Sequence, residues 1–228
     1  MKEKEAIEYL DLKSLVPFRN HPFKLRNGEE KEQLLKSIKA QGTIEPLIAR
    51  PLSESEYEVI SGHRRMEICK ELGIEKLPVI VRNLTDEQAV SMMVDANLHR
   101  ENISPSERAF AYKMKWEAIR KQGQRTDLTS SQPATKYRSD ERIANEFGIG
   151  KDTLHRYIRL TYLIPELLEM VDEGRIALTP AVELSYLTNE EQQALLNEIE
   201  YADATPSLSQ AQRLRGFSRQ GRLNADVI

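Results

Sequence analysis

The sequence predicts an α+β protein: a small mixed α/β domain over residues 1–100, then an all-α domain over residues 101–228 that contains a helix-turn-helix. Three observations predict it. Short apolar runs of strand character, at 46–51, 57–60 and 77–81, occur in the first hundred residues between stretches of helical period. After residue 101 the signals are those of helices, and aromatic residues make up only 6% of the chain. The third observation is residues 140–160, DERIANEFGIGKDTLHRYIRL, where two short amphipathic helices flank a glycine.

Residues 29–41 carry Leu34, Leu35 and Ile38 at helical spacing, and Gly42 stands where a C-terminal cap belongs. The runs PLIARP and YEVI follow as strands, then a helix over 63–72 and a strand over 77–81. Thr85 and Gln88 form a capping box that opens a helix to about Ala96. Ser104, Pro105 and Glu107 supply an N-cap, a first-turn proline and an N3 carboxylate for a helix to about Lys121, with Trp116 as a core residue. Residues 122–139 are polar without apolar period, which predicts a loop. Helix starts are expected at Thr179-Pro180 and at Thr188–Glu191. The basic stretch Arg213, Arg215, Arg219 and Arg222 reads as one more helix or the start of a linker.

Composition narrows the class. The 228 residues have room for one large or two ordinary domains, 39% hydrophobic and 30% charged. No apolar run approaches the roughly 20 residues of a membrane helix. The start, MKEKEAIEYLDL, lacks the apolar core of a signal peptide, so a cytoplasmic protein with no membrane partner is expected. A single cysteine, Cys69, excludes an internal disulfide and a cysteine-built zinc site. The net charge of −3 is uneven: residues 101–160 hold twelve Lys/Arg against eight Asp/Glu, residues 161–200 one against nine. A locally basic middle fits binding of nucleic acid through one face.

Two stretches carry chemistry. At Ser61-Gly62-His63-Arg64-Arg65 a strand-like run stops at glycine, and a helix begins with two arginines in its first turn. A helix N-terminus already has unpaired N–H groups and a positive dipole end, so cations placed there make sense beside an anion, in the geometry of a phosphate site. In 140–160, Ile143, Ala144 and Phe147 form the inner face of a first helix, Gly148 a turn of positive φ, and Ile149, Leu154, Tyr157 and Ile158 the return packing of a second. The outward face then shows Lys151, Thr153, His155, Arg156 and Arg159. The first four are candidates for base edges or nearby phosphates, Arg159 and Arg142 for backbone phosphate. Gly148-Ile149-Gly150-Lys151 is no P-loop, because Asn145 and Asp152 stand where that motif needs Gly and Ser/Thr.

Taken in order from about residue 15 to 200, these stretches resemble the ParB family of partition proteins. The family's first box is similar to His21-Pro22-Phe23-Lys24-Leu25-Arg26, its next pattern to Gly42 through Arg50, and its GERR box to Gly62-His63-Arg64-Arg65. Ala96-Asn97-Leu98-His99-Arg100 and Ile103 through Ala109 match the following motifs. The resemblance implies a CTP-binding N-terminal domain of sulfiredoxin-like fold, with Gly62, His63, Arg64, Arg65, Asn97 and Arg100 as nucleotide contacts and Asn97 at Mg²⁺. It implies a homodimer that binds a palindromic, parS-like centromere site, closes as a CTP-switched clamp, and works with a ParA-type ATPase in DNA segregation. Such a protein is nucleoid or plasmid associated.

Three positions depart from the family pattern: Lys24 and Leu25 in the first box, His63 for glutamate, and Ala96 where the family has the glutamate tied to hydrolysis. Alanine can position neither a metal nor an attacking water, so at most a weak CTPase is expected. The departures also favour a plasmid or mobile-element origin. The family normally ends in a small dimerisation domain, which is expected to be cut away or missing after Ile228. Two other functions are weighed: a ParB-like transcription regulator or nucleoid-occlusion-type protein, and an ATP-dependent phosphotransferase of the same fold. The second has only Glu67 as a nearby acidic candidate, and a sulfiredoxin-like thiol chemistry fails because Gly62 stands at the thiol's place.

Overall fold

The computed structural model describes residues 6–23, 28–42, 45–98, 103–127 and 136–224, without the side chains of residues 30, 122–127 and 136–139. It splits into two compact units, Met1–His99 and Arg100–Ile228.

The first unit is a mixed five-stranded sheet with helices. Its strands are β1 (Ile7–Asp11), β2 (Leu15–Pro17), β3 (Leu47–Pro51), β4 (Tyr57–Ser61) and β5 (Lys76–Val81), in the order β1-β5-β3-β4-β2. β1 pairs antiparallel with β5, β5 parallel with β3, β3 antiparallel with β4, and β4 parallel with β2. The helices are α1 (Glu29–Gln41), α2 (His63–Glu71) and α3 (Asp86–Leu98). Leu47, Ala49, Val59, Leu77 and Val79 are fully buried, joined by Ile68 and Cys69 of α2. Cys69 is thus a buried core residue. β1 and β2 escape the sequence reading for a physical reason. β1 is an edge strand with Ile7 and Tyr9 exposed, so it lacks a buried face to give a pattern, and β2 is three residues long.

One buried polar node ties this sheet together. Glu58 on β4 accepts from Arg50 Nε at 2.8 Å and from the Arg19 backbone N–H at 3.2 Å. Arg50 also meets Asp86 at the start of α3, at 2.7 Å. Burial alone would lower the Arg50 pKa, and the carboxylates of Asp86 and Glu58 more than offset it, so the guanidinium is held above its usual value.

Among the described residues the second unit is helical: α4 (Pro105–Asp127), α5 (Lys136–Glu146), α6 (Lys151–Leu160), α7 (Pro165–Asp172), α8 (Leu178–Leu184), α9 (Asn189–Ala202) and α10 (Leu208–Arg219). Several boundaries correct the sequence reading. α4 continues to Asp127 and α5 starts at Lys136, so the loop expected at 122–139 is helical at both ends, and 128–135 lie outside the described residues. Lys121 through Asp127 are polar and include the weak helix formers Gly123, Thr126 and Asp127, but a helix once started extends by backbone bonds that need no apolar face. α7 was not anticipated. α8 starts at Leu178, with Ala177 at the N-cap position and no side-chain cap, two residues before the expected proline. Ser104 with Glu107 and Thr188 with Glu191 make the expected reciprocal capping boxes, and Ser207 with Gln210 makes another for α10.

Leu160, Leu167, Leu184, Leu195 and Ile199 form the centre of the helical core. Gln192 is buried within it with its amide satisfied: its oxygen accepts from Ile164 N at 2.8 Å, and its nitrogen donates to Tyr162 O and Leu187 O at 3.1 Å each. Lys115 on α4, 1% exposed, pairs with Glu146 Oε1 at 2.7 Å and pins α4 to α5.

Candidate nucleotide site and nucleic-acid interface

The turn expected to hold an anion is built as β4, Gly62, α2. Gly62 has φ 101°, ψ 19°, and a Cβ there would lie 2.9 Å from Leu47 Cγ, so both backbone and packing require glycine. The first turn of α2 has no acidic residue and no side-chain cap. Arg65 reaches back to the segment leading into β3, donating to Glu45 O and to Pro46 O, the latter at 3.2 Å, with the Glu45 carboxylate 3.5 Å away. Arg64 is half-buried on the same turn. His63 faces the segment after β2: its Nε2 accepts the Phe18 backbone N–H at 3.1 Å. The His21 ring lies against it, centroids 3.9 Å apart, and His21 Nδ1 meets Phe23 O at 2.9 Å. The site therefore has two walls fastened by its own residues, 45–46 by Arg65 and 18–23 by His63.

Asn97 sits near the end of α3, 3% exposed. Its Nδ2 donates to Met93 O at 2.7 Å, and its Oδ1 is buried without a hydrogen-bond partner. An orphaned carboxamide oxygen is a hard donor suited to Mg²⁺, but the described residues contain no cluster of three His, Cys, Asp or Glu able to hold a metal. The donor set fits an ion that arrives held by phosphates, with Asn97 adding one oxygen. Ala96 is exposed and offers no carboxylate. No hydrogen bond joins Asn97 to the 61–65 turn, and Arg100 lies outside the described residues, as do Lys24 and Leu25.

The second candidate site forms where two helices meet. Ile143 and Ala144 of α5 and Leu154 and Ile158 of α6 are buried. Gly148 takes φ 64° between them, and Ile149 N closes on Ala144 O at 2.9 Å. Arg142 is exposed on α5, and Lys151 and Thr153 are part-exposed on the first turn of α6. The other three candidates make contacts inside the unit. His155 Nε2 meets Asp140 Oδ2 at 3.0 Å, and Asp140 Oδ1 accepts from the Trp116 indole at 2.6 Å. Trp116, expected in the core, is instead half-buried and uses its polar edge. Arg156 donates to Thr179 Oγ1 at 2.5 Å. Arg159 donates to Ser185 Oγ at 3.1 Å and Ser185 O at 2.6 Å, a cation on the carbonyl end of α8.

Sequence reasoning passed over Glu45, which Arg65 grips, and Tyr162 and Tyr186, which flank Arg159. The i, i+3 spacing of Arg159 and Tyr162 was a legible signal. No helix among the described residues is long and apolar enough to cross a membrane.

A small α/β unit with a glycine-hinged, arginine-bearing helix start, followed in the chain by a helical unit, defines a two-part class. The model of the ParB N-terminal domain family matches residues 1–98. The chromosome-partitioning protein Spo0J of Thermus thermophilus is 32% identical over 206 residues, 90% of this chain and 69% of that protein. A nucleoid occlusion protein of Geobacillus kaustophilus is 30% identical over 168 residues, 74% of this chain and 54% of that protein. The structure of a pNOB8-like ParB N-domain matches 97% of this chain with a TM-score of 0.53 at 15% identity. The chain belongs to the ParB family. It spans between about half and two thirds of the first relatives it matches, 54%, 65%, 52% and 65% of their lengths.

Proposed function

We propose that this chain is a DNA-binding partition protein that reads a palindromic site with α5 and α6 as a helix-turn-helix and binds CTP at the α2 turn. The observation that carries the DNA reading is α6: Leu154 and Ile158 anchor it in the core, while Lys151, Thr153 and Arg156 stay accessible on other faces and His155 is braced from behind by Asp140. An N-terminal turn so presented fits a major groove. Membership of the ParB family supports partition, dimerisation and a ParA-type ATPase partner. At the α2 turn, Arg64, the first-turn backbone of α2 and Asn97 Oδ1 are the groups for phosphates and their Mg²⁺. Without a carboxylate at Ala96 the chain holds the nucleotide and turns it over poorly.

Mapping of bound genomic sites tests the reading. A few palindromes with spreading signal around them are expected, lost on Lys151→Ala. Scattered promoter-like sites would instead support the second reading, nucleoid-occlusion-type or regulatory binding, which the identity to nucleoid occlusion proteins favours. Calorimetric titration with CTP and Mg²⁺ tests the switch, and no heat at millimolar nucleotide would retire it.

A further inference from the structure

The outward face of α6 continues into a groove. Asp152, His155, Arg156 and Arg159 line a cleft of about 460 Å³ together with Lys113 and Trp116 of α4, Tyr162 and Tyr186. Across it the side chains alternate cation and ring. Lys113 Nζ lies 4.9 Å from the Tyr162 centroid, and Arg159 Cζ lies 4.5 Å from Tyr162 and 4.0 Å from Tyr186. Arg215 Cζ of α10 closes the row, 3.6 Å from Tyr186.

Three features make this row a site rather than a crowded surface. First, it is rigid. Arg159 is fixed by two rings and by Ser185, and Gln192 holds the backbone oxygens of Tyr162 and Leu187, so both ring-bearing turns are tied to the core. Second, its charge is under-compensated among the described residues: Glu183 meets Arg215 at 2.8 Å, while Glu117 and Asp152, which also line the cleft, form no salt bridge with Lys113 or Arg159. Rings stabilise neighbouring cations without neutralising them. Third, Tyr162 and Tyr186 are large side chains 50% and 43% exposed, kept at the surface where they orient those cations.

We propose that the row formed by Lys113, Tyr162, Arg159, Tyr186 and Arg215 is a preorganised clamp for the sugar–phosphate backbone of the duplex whose groove α6 enters. This rests on the reading of α6 as a DNA reader. Continuity selects the occupant: His155 and Arg156 belong both to the face offered to bases and to the wall of the cleft. Phosphates along one strand present a row of negative charge to a row of fixed cations. The clamp contributes affinity without sequence preference and holds α6 in register. Apart from Arg159 of α6, its members lie outside the two helices that read bases, so it adds α4, α10 and two turns to the interface.

The test is the salt dependence of binding to a duplex of random sequence, followed by fluorescence anisotropy, for the full chain and its variants. Each phosphate contact contributes about 0.9 to the slope of log K against log salt. Lys113→Ala is expected to lower the slope by about 0.9, and Tyr162→Leu by at least as much, because it releases both Lys113 and Arg159. Tyr162→Phe keeps the ring and restores the slope, and the fluorescence of Trp116 checks folding. Unchanged slopes for Lys113→Ala and Tyr162→Leu, while Lys151→Ala weakens binding, overturn the clamp and leave the DNA reading standing. Absence of any duplex binding by the wild type overturns both. Binding of polyglutamate that Lys113→Ala and Tyr162→Leu weaken, with unaltered DNA slopes, overturns the clamp in favour of an acidic protein partner.

Discussion

Replacing Gly62 by alanine tests whether the α2 turn is built as described. Two costs act in the folded state. An L-residue held at φ 101° is strained by about 1–2 kcal/mol. The new Cβ would lie 2.9 Å from Leu47 Cγ, and Leu47 is fully buried, so the neighbour cannot swing into solvent. Forcing a methyl into such a core costs about 1–3 kcal/mol. Opposing them, alanine restricts the unfolded chain and returns about 0.4–1 kcal/mol. The net expectation is a loss of about 1–5 kcal/mol, read from urea unfolding followed by far-UV circular dichroism. A double-mutant cycle with Leu47→Ala separates the two costs. Leu47→Ala removes the atom that clashes, so the double variant should be more stable than the sum of the singles predicts. A Gly62→Ala protein within about 0.5 kcal/mol of wild type would refute the geometry of the turn. Full additivity with Leu47→Ala would refute the steric half and leave only backbone strain.

Arg50→Met leaves the buried Glu58 carboxylate without its ion-pair partner and should cost about 3–5 kcal/mol in urea unfolding, most of it recovered in Arg50→Met/Glu58→Leu. Asp140→Ala removes the acceptor of both Trp116 and His155, and a loss of about 1–3 kcal/mol is expected. Because Trp116 is the chain's one tryptophan, a shift of its emission reports that site alone. Burial raises the Tyr112 pKa above its ordinary 10.0, against a smaller lowering by Arg108 and with a further rise from Tyr157. The fold thus holds the phenol's proton more tightly than the unfolded chain. Its contribution is complete below about pH 10 and is lost as pH rises through the folded value. Absorbance titration of the eight tyrosines should show a late-ionising group that Tyr112→Phe removes.

What was legible in the sequence is what local spacing determines. The capping boxes at Thr85 and Thr188, the glycine between α5 and α6, and the inward set Ile143, Ala144, Leu154 and Ile158 all lie within a few residues of their partners. The same holds for the glycine before Arg64 and Arg65. What stayed hidden is non-local. His63 finds its donor at Phe18, 45 residues earlier, and Arg65 is engaged by carbonyls about 20 residues away. A basic side chain on a helix reads identically whether it faces solvent or a partner from another element, so Arg159 could be recognised as cationic but not as sandwiched. The tyrosines that hold it arrive from turns set by Gln192 on α9, a polar residue whose burial no periodicity announces. Edge position hides β1 in the same way, by leaving its apolar residues without a buried face. In both units the residues that carry charge were therefore visible, and the residues that aim the charge were not. Aim decides function here: Arg65, fastened to the 45–46 segment, shapes a wall of the turn proposed to hold an anion, whereas Lys113, set over the Tyr162 ring, keeps its charge for the proposed phosphate contact.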